Sequence, residues 1–523
     1  MAIQSTEDLS SGETLSHTFR YLFATQLFSR GITFSFNAWI VRHLTEDDLA
    51  LYAIKFHIFV TIIMLSREGF RRACMRMDTT LGKGGKMEAS IEKLLKIAWC
   101  TPLIGLFFIV ATCTFFLKSR SVSSSDPFGW AIIIYGFGCM LELLAEPFYI
   151  LSQNLLLLKL RLRVEIVATF LRCLTTYILI SKKANMEKGI VFALSQAAYG
   201  ACLFLGYWTY FLFFHVGGNS HLFPFRKCLM ADDDKNLCSM CLLFTWQSIQ
   251  KFFLQEGEKL VLMWFDVSYD QAVYGLVDRL GSLVVRLVFL PFEESAYATF
   301  AKFASEQSPH RVVRLGTALM EALKLVTLIG LVVIVFGPSY SYSLTRILYE
   351  RKWSDGDASI ALRYYCLYVV LLAMNGTSEA FVHAVADKSQ LKRSNNAMVI
   401  FSLIYMLLNM TLVQYAGAIG LITANSINMI LRIIYSAMFI KHYFQGSSFA
   451  FHRCLPSGWP ILLLSGAITH LSERLILDRE NFWPTLLLHS SIGIVCFCLS
   501  IIHICHREKH FIRKIIRFGK RVD

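Results

Sequence analysis

The sequence predicts an all-α polytopic membrane protein of about 14 transmembrane helices, and three observations predict it. Hydrophobic residues make up 55% of the 523 residues and charged residues only 17%, against about 25% charged in an ordinary soluble chain. The mean hydropathy is +0.51 over the whole length, so the apolar excess is not confined to one anchor. Stretches long enough to cross a hydrocarbon core of about 30 Å recur from one end to the other.

Taken in order, the candidate spans lie near 19–41, 49–66, 92–117, 129–150, 164–181, 189–214, 240–264, 272–292, 315–337, 360–381, 396–415, 418–440, 457–471 and 484–505. Polar residues weaken the first, second, seventh and eighth. Residues 1–17 are polar and lack the pattern of a charged segment followed by a short apolar one, so no cleavable signal peptide is expected. With the N-terminus in the cytosol, the cytosolic connections hold about 30 Lys and Arg and the opposite side about 11. The bias comes mostly from residues 67–96 and the tail after 505, which puts both termini in the cytosol.

The formal charge of +14 does not indicate nucleic acid, because the basic residues are dispersed between apolar segments instead of gathered in one module with stacking aromatics. About ten cations fall inside spans: Arg30, Lys55, Arg172, Lys251, Lys259, Arg279, Arg286, Lys324, Arg363 and Arg432. A charge near the bilayer centre costs about 2.5 to 3.5 kcal/mol on insertion scales, so such residues face protein or water. Six of the ten lie in spans 1, 2, 7 and 8. Arg172, Lys324 and Arg363 read as structural or snorkelling.

An internal repeat explains the clustering. "LFATQLFSR" (22–30) resembles "LFTWQSIQK" (243–251), which superposes Arg30 on Lys251. "DLALYAIKFH" (48–57) resembles "DQAVYGLVDR" (270–279), Glu68 falls on Glu293, and "AEPF" (145–148) falls on "SEAF" (378–381). The expected organisation is a cytosolic N-terminus (1–18), an N-lobe of spans 1–6 (19–214), a linker (215–239) and a C-lobe of spans 7–12 (240–440). Spans 13–14 (441–505) and a basic tail (506–523) follow. The two six-helix lobes would be related by pseudo-two-fold symmetry about the membrane normal, and transporters with such repeats bind substrate where the repeats meet.

"SREGFRRA" (66–73), "QSIQKFFLQEGEK" (247–259) and "RLVFLPFEESAYATFAKF" (286–303) resemble the eukaryotic oligosaccharide translocation proteins, the Rft family. That family belongs to the multidrug/oligosaccharidyl-lipid/polysaccharide exporter superfamily, and the resemblance covers essentially the whole chain. It implies an endoplasmic reticulum protein of N-glycosylation that moves the dolichol-diphosphate-linked Man5GlcNAc2 oligosaccharide from the cytosolic to the lumenal leaflet. The implied partners are that lipid, the membrane lipids around it and other N-glycosylation proteins, with no nucleic acid, no cofactor and no metal.

Such a substrate needs cations for its diphosphate, and Arg offers a bidentate fork that Lys lacks. Arg30, His57, Lys251, Arg279 and Arg286 are the candidates, with Arg30 and Lys251 first because both repeats place a cation there. Gln26, Asn37, Trp39, Trp246, Gln247 and Gln250 suit the glycan. Arg67, Glu68, Arg71 and Arg72, with Glu293 and Glu294, form a gate-side motif near the cytosolic face. Glu256 and Lys259 share a helix face and, with Glu258, serve as charge partners.

Three other functions carry less weight. A dolichol-sugar glycosyltransferase would use an acidic pair in the first lumenal loop, where "TEDD" (45–48) sits, but Thr45 and Asp48 form a capping box, and Ser268 with Gln271 repeats the pattern. The lumenal loops are also short. A cation-coupled small-molecule exporter would carry an acidic cavity, whereas spans 1, 2, 7 and 8 hold six basic residues against Glu256, Glu258 and Asp278. A scaffold of the glycosylation machinery remains compatible with the sequence. "GKGGK" (82–86) lacks the order of a phosphate-cradling loop, so no ATPase is encoded. The single CxxC of Cys238 and Cys241 has no second pair for zinc. Asn375 and Asn409 match glycosylation sequons inside spans and should stay unmodified.

Overall fold

In an apolar solvent every backbone polar group must be satisfied within its own segment, which leaves helices as the structure for long apolar runs. The computed structural model describes residues 31, 34–74, 85–119, 126–155, 157–182, 186–213, 232–265, 267–305, 310–446 and 449–509. Among these the regular structure is helical throughout. Residues 34–42 form α1, and Glu46–Ala50 (α2) continues through a π turn, Leu51–Lys55, into Phe56–Cys74 (α3). Then come α4 (Gly85–Ala98), α5 (Cys100–Ser119), α6 (Pro127–Asn154), α7 (Leu158–Lys182), α8 (Lys188–Phe213) and α9 (Asp232–Phe265). Ser268–Val284 (α10) passes through a second π turn, Val285–Phe289, into Leu290–Ser305 (α11). The remainder is α12 (Arg311–Ser354), α13 (Asp357–Val385), α14 (Lys388–Tyr443), α15 (Trp459–Ile476) and α16 (Phe482–Arg507).

Spans 2 to 14 each coincide with one of these rods, once α2–α3, α4–α5 and α10–α11 are each taken as one and α14 as two, while most of span 1 lies outside the described residues. The division of α14 is physical. Ala416 and Gly417 leave the helical region, and Gly417 at φ 51° and ψ −130° occupies a conformation that only glycine enters at low cost. Nine helices among the described residues are long and apolar enough to cross a membrane. Helix α9, with Lys251, Glu256, Glu258 and Lys259 along its length, is not among them. The outer faces are apolar: Phe107 is 70% exposed and Leu487 71%, as expected of surfaces solvated by lipid.

The capping box read from the sequence opens α2. Asp48 N–H donates to Thr45 Oγ1 at 3.2 Å, and Thr45 N–H donates to the Asp48 carboxylate at 3.1 Å. Its repeat counterpart differs. Gln271 is buried and donates instead to Leu262 O of α9 at 3.0 Å.

Packing divides the chain into two compact units, with the boundary between Ala272 and Val273. In the first, α8 packs on α6 and α7, while α3 packs on α5 and α9. Trp99, Phe148, Tyr207 and Phe211 form the centre of one core, and Trp208 Nε1 donates to Leu144 O at 3.0 Å. Gly69 lets α3 and α9 approach closely, since a Cβ there would lie 2.3 Å from Thr245 Oγ1 and 2.6 Å from Thr245 N. In the second unit α12, α13 and α14 pack in sequence, and α15 joins α12 and α16. Polar ties hold the last two helices: Lys324 Nζ donates to Glu508 at 2.7 Å, and Arg363 pairs with Glu473.

Candidate functional site

The contact at Gly69 sets the site. Around it α3 and α9 enclose a cavity of about 260 Å³ lined by Thr61, Arg67, Glu68, Arg71, Ser248 and Glu256, with Met64, Leu65 and Phe252 supplying apolar surface. Arg67, Glu68 and Arg71 of the gate-side motif and Glu256 of span 7 therefore face one space.

On the α3 side the arginines are held by carboxylates of α6. Arg67 Nη1 donates to Glu142 Oε1 at 2.5 Å and lies 3.7 Å from Glu146. Arg71 grips Glu146 with two nitrogens, one of them at 2.8 Å, and its guanidinium stacks 3.9 Å from the centre of the Tyr149 ring. Gln196 of α8 donates to the second Glu142 oxygen at 3.1 Å. Bidentate, buried Arg–carboxylate pairs are strong because both charges have left water and neither has another partner of equal quality. Arg67 Nε and Ser248 Oγ, on residues lining the cavity, are buried without a hydrogen-bond partner. Orphaned donors at a cavity wall call for water or a polar ligand.

On the α9 side three groups close a triangle. Lys259 Nζ lies 3.0 Å from Glu256 Oε2 and 3.2 Å from His57 Nε2, and His57 Nε2 lies 3.3 Å from the same Glu256 oxygen. Glu256 and Lys259 are one turn apart on α9, and His57 reaches them from α3. A neutral imidazole accepts from the ammonium; a protonated one donates to the carboxylate. The trio thus has net charge zero or plus one, with Glu256 at the cavity wall.

The other expected residues are placed as follows. Arg30 and Gln26 lie outside the described residues. Lys251, Gln247 and Gln250 are on α9 and Arg72 is on α3, but their side chains are outside the described set. Trp246 is 61% exposed. Glu258 is partly buried on α9. Asn37 accepts a hydrogen bond from Tyr52 at 3.1 Å, and the Trp39 ring packs 4.7 Å from Tyr177 and 4.3 Å from His43.

Arg279, Arg286, Glu293 and Glu294 belong to the second unit. Arg286 is exposed within the π turn, Arg279 is partly buried, and its neighbour Asp278 accepts from Tyr365 at 2.9 Å. Glu293 of α11 lies against Gly376 of α13, where an added Cβ would meet its Oε2 at 2.3 Å. Glu294 is exposed. In the same unit Glu379 receives Arg432 on both oxygens, at 2.7 and 2.9 Å, together with Asn375 at 3.0 Å and His383 at 3.4 Å.

Glu142, Glu146 and Glu379 escaped the sequence reading, and their presence corrects the charge count around α3: the cations at 67 and 71 are neutralised from span 4. A signal for two of them existed. The repeat superposes Glu146 on Glu379, and a carboxylate kept in the same place of two apolar spans demands a cation.

Helices in this span order among the described residues, with ion pairs sequestered inside apolar helices and a polar-lined cavity between two of them, have the make-up of a multi-pass membrane protein. The sequence model of the Rft protein family matches residues 14–518. The chain belongs to that family. It is 31% identical to the Man(5)GlcNAc(2)-PP-dolichol translocation protein RFT1 of Dictyostelium discoideum, over 93% of this chain and 94% of that one. The protein of the same name from Mus musculus is 32% identical over 91% of each chain. Among solved structures, lipid II flippase MurJ in an inward closed conformation aligns at a TM-score of 0.61 with 14% identity, over 93% of this chain and 99% of that one. An inward-facing multidrug resistance MATE family transporter of the MOP superfamily aligns at 0.59 with 17% identity, over 80% of this chain and 96% of that one. These two structures show the shared fold.

Proposed function

We propose that the chain translocates the dolichol-diphosphate-linked Man5GlcNAc2 oligosaccharide from the cytosolic to the lumenal leaflet of the endoplasmic reticulum, as a transporter and not an enzyme. The observation that carries this is the match to relatives named for that translocation, which runs over more than nine-tenths of the chain. Both termini lie in the cytosol in this reading, supported by the distribution of Lys and Arg.

The lipid tail stays in the bilayer, so no pocket need enclose it. At about 260 Å³ the cavity beside α3 and α9 is below the range of a drug-sized ligand site, so it accommodates a phosphoryl-sized group and not the glycan. The proposed diphosphate donors remain Arg30, His57, Lys251, Arg279 and Arg286, of which His57, Arg279 and Arg286 do not line this cavity. Arg67 and Arg71, already gripped by Glu142 and Glu146, serve the gate by fixing α3 to α6. The His57–Glu256–Lys259 trio sets an ammonium and an imidazole against the Glu256 carboxylate at the cavity wall.

The test is complementation of a strain lacking the family member. Arg30→Ala and Lys251→Ala should each impair growth and glycosylation at normal expression. Full complementation by both removes the diphosphate role from these positions.

A further inference from the structure

Of the intramembrane cations described with their side chains, Arg172 is set apart. It lies in the middle of α7, and its guanidinium makes no hydrogen bond or ion pair with any described residue; its one close contact is the Tyr199 ring, 5.2 Å to the centre. An ionised group at such depth needs a counter-charge or water. Lys324, Arg363 and Arg432 have carboxylates; Arg172 has a cavity. That cavity, about 30 Å³, is lined by Asn37, Tyr52, Arg172, Thr176, Ser195 and Gln196.

Each polar neighbour is oriented by a bond of its own. Asn37 Oδ1 accepts from Tyr52 at 3.1 Å, which leaves the Asn37 amide N–H groups as donors. The Thr176 and Ser195 hydroxyls donate to helix carbonyls, Arg172 O and Phe192 O. Gln196 donates to Glu142, and that carboxylate is occupied by Arg67 at 2.5 Å. The two carboxylates of this neighbourhood, Glu142 and Glu146, are taken up by Arg67 and Arg71, and Arg172 has no carboxylate partner among the described residues. One positive charge is left over, and it sits at the cavity.

We infer that this cavity in the first unit is a binding site for a single monatomic anion of the halide class, with the Arg172 guanidinium and the Asn37 amide as its donors. Size selects the class. A water needs about 10–15 Å³ of such space, so the cavity holds a halide with one water and excludes a phosphoryl group. The site is separate from the α3–α9 cavity and does not depend on the transported substrate.

The experiment is thermal unfolding of the purified full-length protein in detergent, titrated with sodium chloride against sodium gluconate at fixed ionic strength. The midpoint should rise saturably with chloride and bromide, and not with gluconate or inorganic phosphate. Arg172→Gln should raise the half-saturating chloride concentration at least tenfold or abolish the rise. Should that variant fail to fold, Asn37→Asp serves instead: it supplies a carboxylate inside the cavity and should remove the chloride dependence while the protein stays folded without chloride. An equal rise in gluconate, no rise at all in the parent protein, or an unchanged chloride response in Asn37→Asp or Arg172→Gln overturns the assignment.

Discussion

The two glutamates that the repeat superposes, Glu146 and Glu379, do the same job with different partners. Glu146 is fully sequestered, its side chain 2% exposed, and faces Arg71 and Arg67 of α3. Glu379 is 19% exposed and takes Arg432 from α14, with His383 and Asn375 from its own helix. Where the first repeat offers Arg67, Glu68 and Arg71 from span 2, the second offers Glu293 and Glu294 from span 8. The fold has kept the carboxylate, and the source of its cation has moved from one helix to another. A repeat in the sequence thus coexists with asymmetry of charge, and among the described residues Arg67, Arg71 and Arg172 of the first repeat border cavities.

Matched substitutions in the two repeats turn this contrast into measurable differences. Glu146→Ala strands two arginines in an apolar interior and should cost about 3–5 kcal/mol, read as a large drop in unfolding midpoint in detergent and in steady-state protein level. Glu379→Ala leaves a more exposed arginine and should cost about 2 kcal/mol. Equal losses would mean that the exposure difference does not control the energetics. Pairing Glu146→Ala with Arg71→Ala should recover part of the loss, since the uncompensated charge goes with it.

The helix contact comes next. Gly69→Ala pushes a Cβ into Thr245 and toward Cys241 O at 2.9 Å, so α3 and α9 must separate, at about 1–3 kcal/mol. Glu294, its repeat counterpart, is exposed, and Glu294→Ala should stay within about 0.5 kcal/mol. The smallest contrast is at the helix start. Thr45→Ala removes the capping box for about 1 kcal/mol, while Ser268→Ala should change stability by less than about 0.5 kcal/mol, because Gln271 is engaged with Leu262 O. A thermal unfolding series on the six single variants orders all three contrasts.

Much of the fold was legible because it is local. Apolar length marked the rods, the Ala416–Gly417 break falls between spans 11 and 12 as read, and Thr45 with Asp48 announced the start of α2. Glu256 and Lys259, three residues apart, were readable as neighbours from helix geometry alone. Other features were hidden by distance or by polarity. Arg67 meets Glu142 across 75 residues, and no spacing rule connects α3 to α6. Helix α12 continues well past the expected end at 337, as far as a break at Glu350 (φ 67°), because residues after Pro338 are too polar for a hydropathy window yet still helical. The π turns at Leu51–Lys55 and Val285–Phe289 leave no sequence signature, although each lies on a span flagged for its charges. Arg172 was expected to be structural like Lys324 and Arg363, and only the absence of a carboxylate beside it among the described residues separates it from them.

The central claim is translocation by this chain itself, as opposed to support of a pathway carried out by other proteins. The direct measurement is the sidedness of the Man5GlcNAc2 dolichol-diphosphate lipid in liposomes containing only the purified protein, followed by a reagent confined to the outer leaflet. The account predicts that transbilayer movement is faster than in protein-free liposomes and falls with Arg30→Ala and Lys251→Ala. Movement no faster than in empty liposomes, with folded protein present, would contradict it and favour a scaffold.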